Sequence, residues 1–119
     1  MTARHALVAL IAAAASATAW AHAFLDHADP KVGSRVAAAP AEVRLWFTED
    51  VEPAFSTIEV LDANGQRVDR GPVQVDAKDR TLLEVPLEKL PPGTYTVKWR
   101  SVSVDTHPSQ GRFTFRVGP

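Results

Sequence analysis

The chain has no cysteine, and its one methionine is Met1. No disulfide can form, and past the first residue no sulfur ligand or cysteine nucleophile is available for soft-metal or thiolate chemistry. After residue 21 there is no long apolar run and no stretch with a convincing helical period. There is no glycine-rich phosphate loop, no paired-acid signature and no Ser-His-Asp arrangement with a supporting motif, so a hydrolase or nucleotide enzyme has little support. Charge is near balance, with 13 basic and 14 acidic side chains. Such a balance offers no basic footprint for nucleic acid.

The N-terminus has a pattern of its own. Arg4 is followed by an apolar run from Ala6 to Ala15 and then by Ala19-Trp20-Ala21. This is the order of a secretory signal peptide, and the run is short and alanine-rich for crossing about 30 Å of hydrocarbon. Residues 1–21 are therefore expected to be removed, leaving 22–119 as one exported, soluble domain. Three A-x-A cut sites overlap here, ending at Ala19, Ala21 and Ala23; the middle one leaves His22 first. An exported domain without disulfides must rely on its apolar core.

The rest reads as strands. Val43, Leu45 and Phe47 alternate with Arg44, Trp46 and Thr48, the period of two of a half-buried strand. Thr57–Asp62 is strand-like, and Asn64-Gly65 signals a hairpin with Gln66–Asp69 as the returning strand. Thr81–Pro86 follows. Thr94–Val104 places Tyr95, Val97 and Trp99 on one face, with a possible change of phase near Arg100 and Ser101. Arg112–Val117 closes the chain with Phe113, Phe115 and Val117 alternating. Prolines fall between these runs, where they end strands and protect edges. Short strands with frequent turn signals predict an all-β sandwich or barrel.

Three histidines follow residue 21: His22, His27 and His107. Asp105 and His107 are two apart, so an extended segment turns both to one side. If His22 is the first residue, its free amine and its ring Nδ1 can close a six-membered chelate. With Asp105 and His107 that gives three nitrogens and one oxygen, a set suited to tetragonal Cu(II). Zinc is the main competitor but favours tetrahedral geometry. Asp-x-His alone is equally the pattern of an ordinary surface pair. Strict alternation along the first strand would put His27 opposite His22, so His27 is not counted as a ligand. Glu49 and Asp50 end a strand, as a polar turn or as a carboxylate orienting a ligand. Trp46 and Trp99 are expected in the core or flanking the site.

Several blocks carry a family resemblance: His22-Ala23-Phe24-Leu25, Ala28-Asp29-Pro30, Val43 to Glu49, Pro92 to Arg100, Asp105-Thr106-His107-Pro108 and Phe113-Thr114-Phe115. On these the chain resembles the CopC/PcoC family of periplasmic copper-resistance proteins over all of residues 22–119. The resemblance implies an immunoglobulin-like Greek-key β-sandwich of about seven strands. It implies a Cu(II) site at His22, Asp105 and His107, with Glu49 nearby. It further implies a monomeric periplasmic protein of copper homeostasis, not an enzyme, with an inner-membrane copper transporter of the CopD type as partner. Some members also hold Cu(I) in a methionine-rich loop; residues 51–75 contain no methionine, so a Cu(II)-only member is expected. Two rival expectations are a copper-dependent oxidase built on a histidine brace and a non-metal immunoglobulin-like structural module.

Overall fold

The computed structural model describes residues 24–119; the expected signal peptide and His22 lie outside the described residues. Eight strands follow in order: β1 (Leu25–Asp29), β2 (Arg35–Val36), β3 (Glu42–Phe47), β4 (Thr57–Leu61), β5 (Gln74–Val75), β6 (Leu82–Pro86), β7 (Gly93–Val102) and β8 (Pro108–Val117). A 3-10 turn over Pro53–Phe55 precedes β4. One sheet runs β1-β3-β6-β5 and the other β2-β8-β7-β4. Only β2 and β8 pair in parallel; the remaining neighbours are antiparallel. The result is the all-β Greek-key sandwich expected from the sequence, with two of its strands only two residues long.

The core lies where alternation puts it. Val43, Leu45 and Phe47 from β3 face Tyr95, Val97 and Trp99 from β7 and Phe113 and Phe115 from β8, all buried. Phe47 and Trp99 join the two sheets edge to face, with ring centroids 5.2 Å apart. Such a contact contributes about 0.5–1.5 kcal/mol beyond the area it buries. The Tyr95 hydroxyl donates to the carbonyl of Pro91, four residues upstream. This is the corner by which many immunoglobulin-like domains pin a strand entrance. Burial, reinforced by Asp62, pushes the Tyr95 hydroxyl above the ordinary tyrosine pKa.

Four details differ from what the sequence pattern leads one to expect. β1 carries a bulge between Leu25 and His27, so Leu25 pairs with Phe47 while His27 pairs with Trp46. The extra residue reverses the phase of the strand, and the parity that set His27 opposite His22 no longer holds through it. On β7 the register runs on without a shift, so the inward positions continue from Trp99 to Ser101 and Ser103, both buried; Val102 between them is buried as well, whereas Val104 is exposed. The Asn64-Gly65 hairpin has a three-residue loop in which Gly65 alone takes positive φ, at 80°. Asp62 C=O accepts from Gly65 N–H, and Asp62 N–H donates to Gln66 C=O, the pattern of a type I turn closed by a bulge. The returning segment makes single bridges, Leu61 to Arg67 and Asp69 to Leu87, in place of a continuous strand.

Asp69 holds that segment. Its side chain is 2% exposed. It accepts from Val60 N–H at 2.9 Å and from Arg67 Nε and Nη2 at 3.1 and 2.6 Å. Burial opposes its charge, but the Arg67 and Val60 hydrogen bonds together outweigh burial and hold the carboxyl below its usual range.

Candidate metal centre

The loop between β7 and β8 is folded by its own polar groups. Ser103 N–H donates to His107 C=O at 3.1 Å, and Thr106 N–H donates to Ser103 C=O at 2.8 Å. Thr106 sits at φ 71°, in the left-handed region that a β-branched residue seldom occupies. Strained backbone of this kind concentrates at functional sites. Ser103 Oγ donates to Asp105 Oδ1 and accepts from His107 N–H at 3.3 Å. Asp105 Oδ1 in turn lies 3.4 Å from His107 Nδ1.

Asp105 and His107 thus face one another across a turn, each about two-fifths exposed. Two donors bound side by side at about 2.0–2.1 Å from a metal are about 2.9 Å apart. The observed separation is close enough for one ion to take both after a small closure. The Ser103 hydroxyl, and after it His107, hold the Asp105 carboxyl below the usual carboxylate range. Asp105 is therefore an anion at neutral pH. Its electrostatic partner carries a basic nitrogen, and a hard oxygen with a borderline nitrogen suits a divalent transition ion.

A short ladder leads from this loop to the start of the described chain. Val104 N–H donates to Asp50 C=O at 3.2 Å, and Glu52 N–H donates to Val102 C=O at 2.8 Å. On the other side of the same segment, Thr48 N–H donates to Phe24 C=O at 2.9 Å. Phe24 N–H donates back to Thr48 Oγ1 at 3.0 Å. Residues 48–52 therefore tie Phe24 to the Asp105 loop. Glu49 lies within this segment and is half-buried. Among the described residues there is no group of three or more metal-ligating side chains, so Asp105 and His107 stand there as a pair.

Other residues singled out in the sequence lie elsewhere. Trp99 is in the core. Trp46 is on the outer face of its sheet, with the His27 ring stacked on it at 4.3 Å and the Arg44 guanidinium 5.0 Å from its centroid. His27 Nδ1 contacts Asp26 at 2.7 Å. Two residues that sequence reasoning passed over are Ser103, which orients Asp105, and Thr48, which anchors Phe24. Ser103 left one trace: it opens the polar run Ser103–Pro108.

Comparison with known proteins agrees with this architecture. The profile of the CopC domain matches residues 25–118. YobA of Escherichia coli K12 is 39% identical, over 96% of this chain and 93% of its own. Copper resistance protein C of Pseudomonas syringae pv. tomato is 37% identical, with 96% of each chain covered. Copper transport protein CutJ of Bacillus subtilis is 36% identical over 85% of this chain, but the match spans only 19% of CutJ. Among solved structures, CopC from Methylosinus trichosporium OB3b superposes with a TM-score of 0.77 at 38% identity, covering 82% of this chain and 95% of that one. PcoC of Escherichia coli, described as a methionine-rich copper resistance protein, gives a TM-score of 0.72 at 35% identity, covering 82% and 99%. Copper resistance or copper transport is in the names of copper resistance protein C, CutJ and PcoC, and the CopC family is one of copper-binding resistance proteins rather than enzymes, which sets aside the oxidase and the non-metal module. The chain belongs to the CopC family of copper-binding resistance proteins.

Proposed function

We propose that the chain is exported, cut after Ala21, and binds Cu(II) through the amine and ring of His22 together with Asp105 and His107. The observation that carries this reading is the hydrogen-bonded ladder from Phe24 through Thr48–Glu52 to Val104. It starts two residues after His22 and ends one residue before Asp105. Glu49, between the two ends, is the carboxylate that would orient a ligand or its water.

The donor set selects the oxidation state. Amine, imidazole and carboxylate suit Cu(II), whereas Cu(I) prefers the sulfur ligands that are missing after Met1. PcoC is named as methionine-rich; this chain departs from it, and its role is one of binding and handing on Cu(II) without a second, Cu(I) site. Copper here is cargo. The match to a small part of a much longer copper transport protein supports hand-over of copper to a transporter; we take that partner to be of the CopD type, and the protein to act as a monomer in the periplasm.

The test is a competition titration of Cu(II) with the processed protein, its His107→Ala variant and its Asp105→Ala variant. Each variant should lose at least tenfold in affinity, the size typical when a metal ligand or its support is removed. Unchanged affinity in His107→Ala would overturn the assignment. N-terminal mass and cell fractionation test the cut and the compartment independently.

A further inference from the structure

The near-neutral charge of the chain conceals a strong division between its two faces. On the outside of the β2-β8-β7-β4 sheet, exposed cations occupy matched rows. Lys98 pairs with Arg112, and Arg116 lies beside Arg35. Arg100 stands one row from Lys98, across from Thr57 and Gln110. All five cations are exposed. Among the described residues none of them forms a salt bridge with a carboxylate. Glu59, across from Lys98, is the one acidic side chain in these rows. The outside of the other sheet has the opposite sign: Asp29, Arg44 and Glu84 share a row, and Glu42 lies 3.5 Å from Arg44.

The basic face is also shaped to receive something. A shallow groove of about 510 Å³ runs over it between Thr57, Glu59, Lys98, Arg100, Gln110 and Arg112. Next to Arg100, which lines this groove, Phe55 is 64% exposed, and Arg100 Nη1 donates to the Phe55 carbonyl at 3.3 Å. Unpaired cations beside an exposed aromatic ring match a bilayer surface, where charge meets the headgroups and the ring enters the interface. An acidic protein would also match the charge and the ring; unpaired cations spread over several rows of one flat sheet face fit an extended anionic surface better.

We propose that this face docks the protein on an anionic phospholipid membrane. The acidic face then points away, and the opposed charges orient the approach. Strands β7 and β8, which carry most of the cations, end in the Ser103–His107 loop. A sandwich lying on this face holds that loop at the edge of the membrane contact. The inference does not depend on the metal assignment, because docking needs no copper.

The test is co-sedimentation of the processed, metal-free protein with phosphatidylcholine vesicles and with vesicles of phosphatidylcholine and phosphatidylglycerol. Binding is expected only to the anionic vesicles, at about 0.01 M salt, and should be lost near 1 M, where the Debye length falls from about 30 Å to about 3 Å. Each cation near the surface is worth about fivefold in partitioning. Lys98→Gln with Arg112→Gln should therefore bind about 25-fold more weakly, whereas Arg112→Lys and Glu42→Gln should bind like the unmodified protein. Equal binding to both vesicle types, or no loss in the double variant, would overturn the proposal. So would salt-sensitive self-association that needs the same cations and leaves no vesicle binding, since the acidic face of a second copy would then be the occupant. None of these outcomes alters the copper titration.

Discussion

Phe24 and Thr48 exchange two hydrogen bonds, from Phe24 N–H to Thr48 Oγ1 and from Thr48 N–H to Phe24 C=O, at 3.0 and 2.9 Å. The second is an ordinary backbone bond between the first described residue and the residue that follows β3. The first depends on one hydroxyl, and it holds the backbone just beyond His22. A metal ligand on a loose terminus loses entropy when it binds; a terminus already tied down loses less.

Thr48→Val removes that hydroxyl while keeping the shape of the side chain. A lone hydrogen bond of this kind contributes about 0.5–1.5 kcal/mol, so Cu(II) affinity should fall by about 2- to 12-fold. The bond closes only the segment at the edge of the folded domain, which opens locally before the core does, so thermal stability should change little. A titration paired with a melting curve separates the two effects.

Ser103→Ala should raise the Asp105 pKa, because the Ser103 hydroxyl is the main group holding that carboxyl down. The sign follows from the ionised form being the one that binds metal. With Ser103 present, Asp105 remains an anion until the pH falls below the ordinary aspartate value of about 3.9. Without it, protonation begins at higher pH and affinity should drop more steeply on acidification. Carboxyl-detected NMR titration of Asp105 in both proteins reads this directly.

Asp69 governs acid stability in the same sense. Its folded pKa is depressed, so its contribution is fully present above the unfolded value of about 3.9 and disappears as pH falls through the folded one. Asp69→Ala leaves the Val60 N–H and the Arg67 guanidinium without their acceptor. The cost should be about 1–3 kcal/mol at neutral pH. The same substitution should flatten the acid limb of the stability curve, as followed by urea unfolding at several pH values.

Gly111→Ala should destabilise by overpacking. A Cβ there would lie 2.7 Å from Trp99 Cζ2 and 2.9 Å from Trp99 Cε2, and the indole is held in the core against Phe47. Such insertions cost about 1–3 kcal/mol. For a domain of this size each kcal/mol lowers the Tm by about 4–8 °C.

The long strands were legible because each buries one face, so Val43, Leu45 and Phe47, or Phe113, Phe115 and Val117, betray their period directly. β2 and β5 are too short to show any period. The bulge at Asp26 was invisible because nothing in Leu25-Asp26-His27 distinguishes two residues opposing one from regular pairing. The inward run through Ser101 and Ser103 was hidden because serine does not read as core. Ser101 is buried beside the Ser109 hydroxyl at 2.9 Å, and Ser103 is occupied with the Asp105 loop. Pro108 begins β8, where a missing N–H is tolerated, although proline had marked a break. Asp105 and His107 come together as their spacing suggests, but not along an extended segment: a turn with Thr106 at φ 71° brings the two side chains face to face. The division of charge between the two faces was not legible, since a net count averages over both.

The most direct measurement of the central assignment is Cu(II) EPR on the protein beginning at His22, compared with the same protein acetylated on that terminal amine. Acetylation turns the amine into an amide and supplies no new amine donor. A tetragonal signal with nitrogen couplings in the first form, and a different, weaker-field site with lower affinity in the second, is the predicted result. Identical spectra and affinities would contradict a copper site anchored on His22.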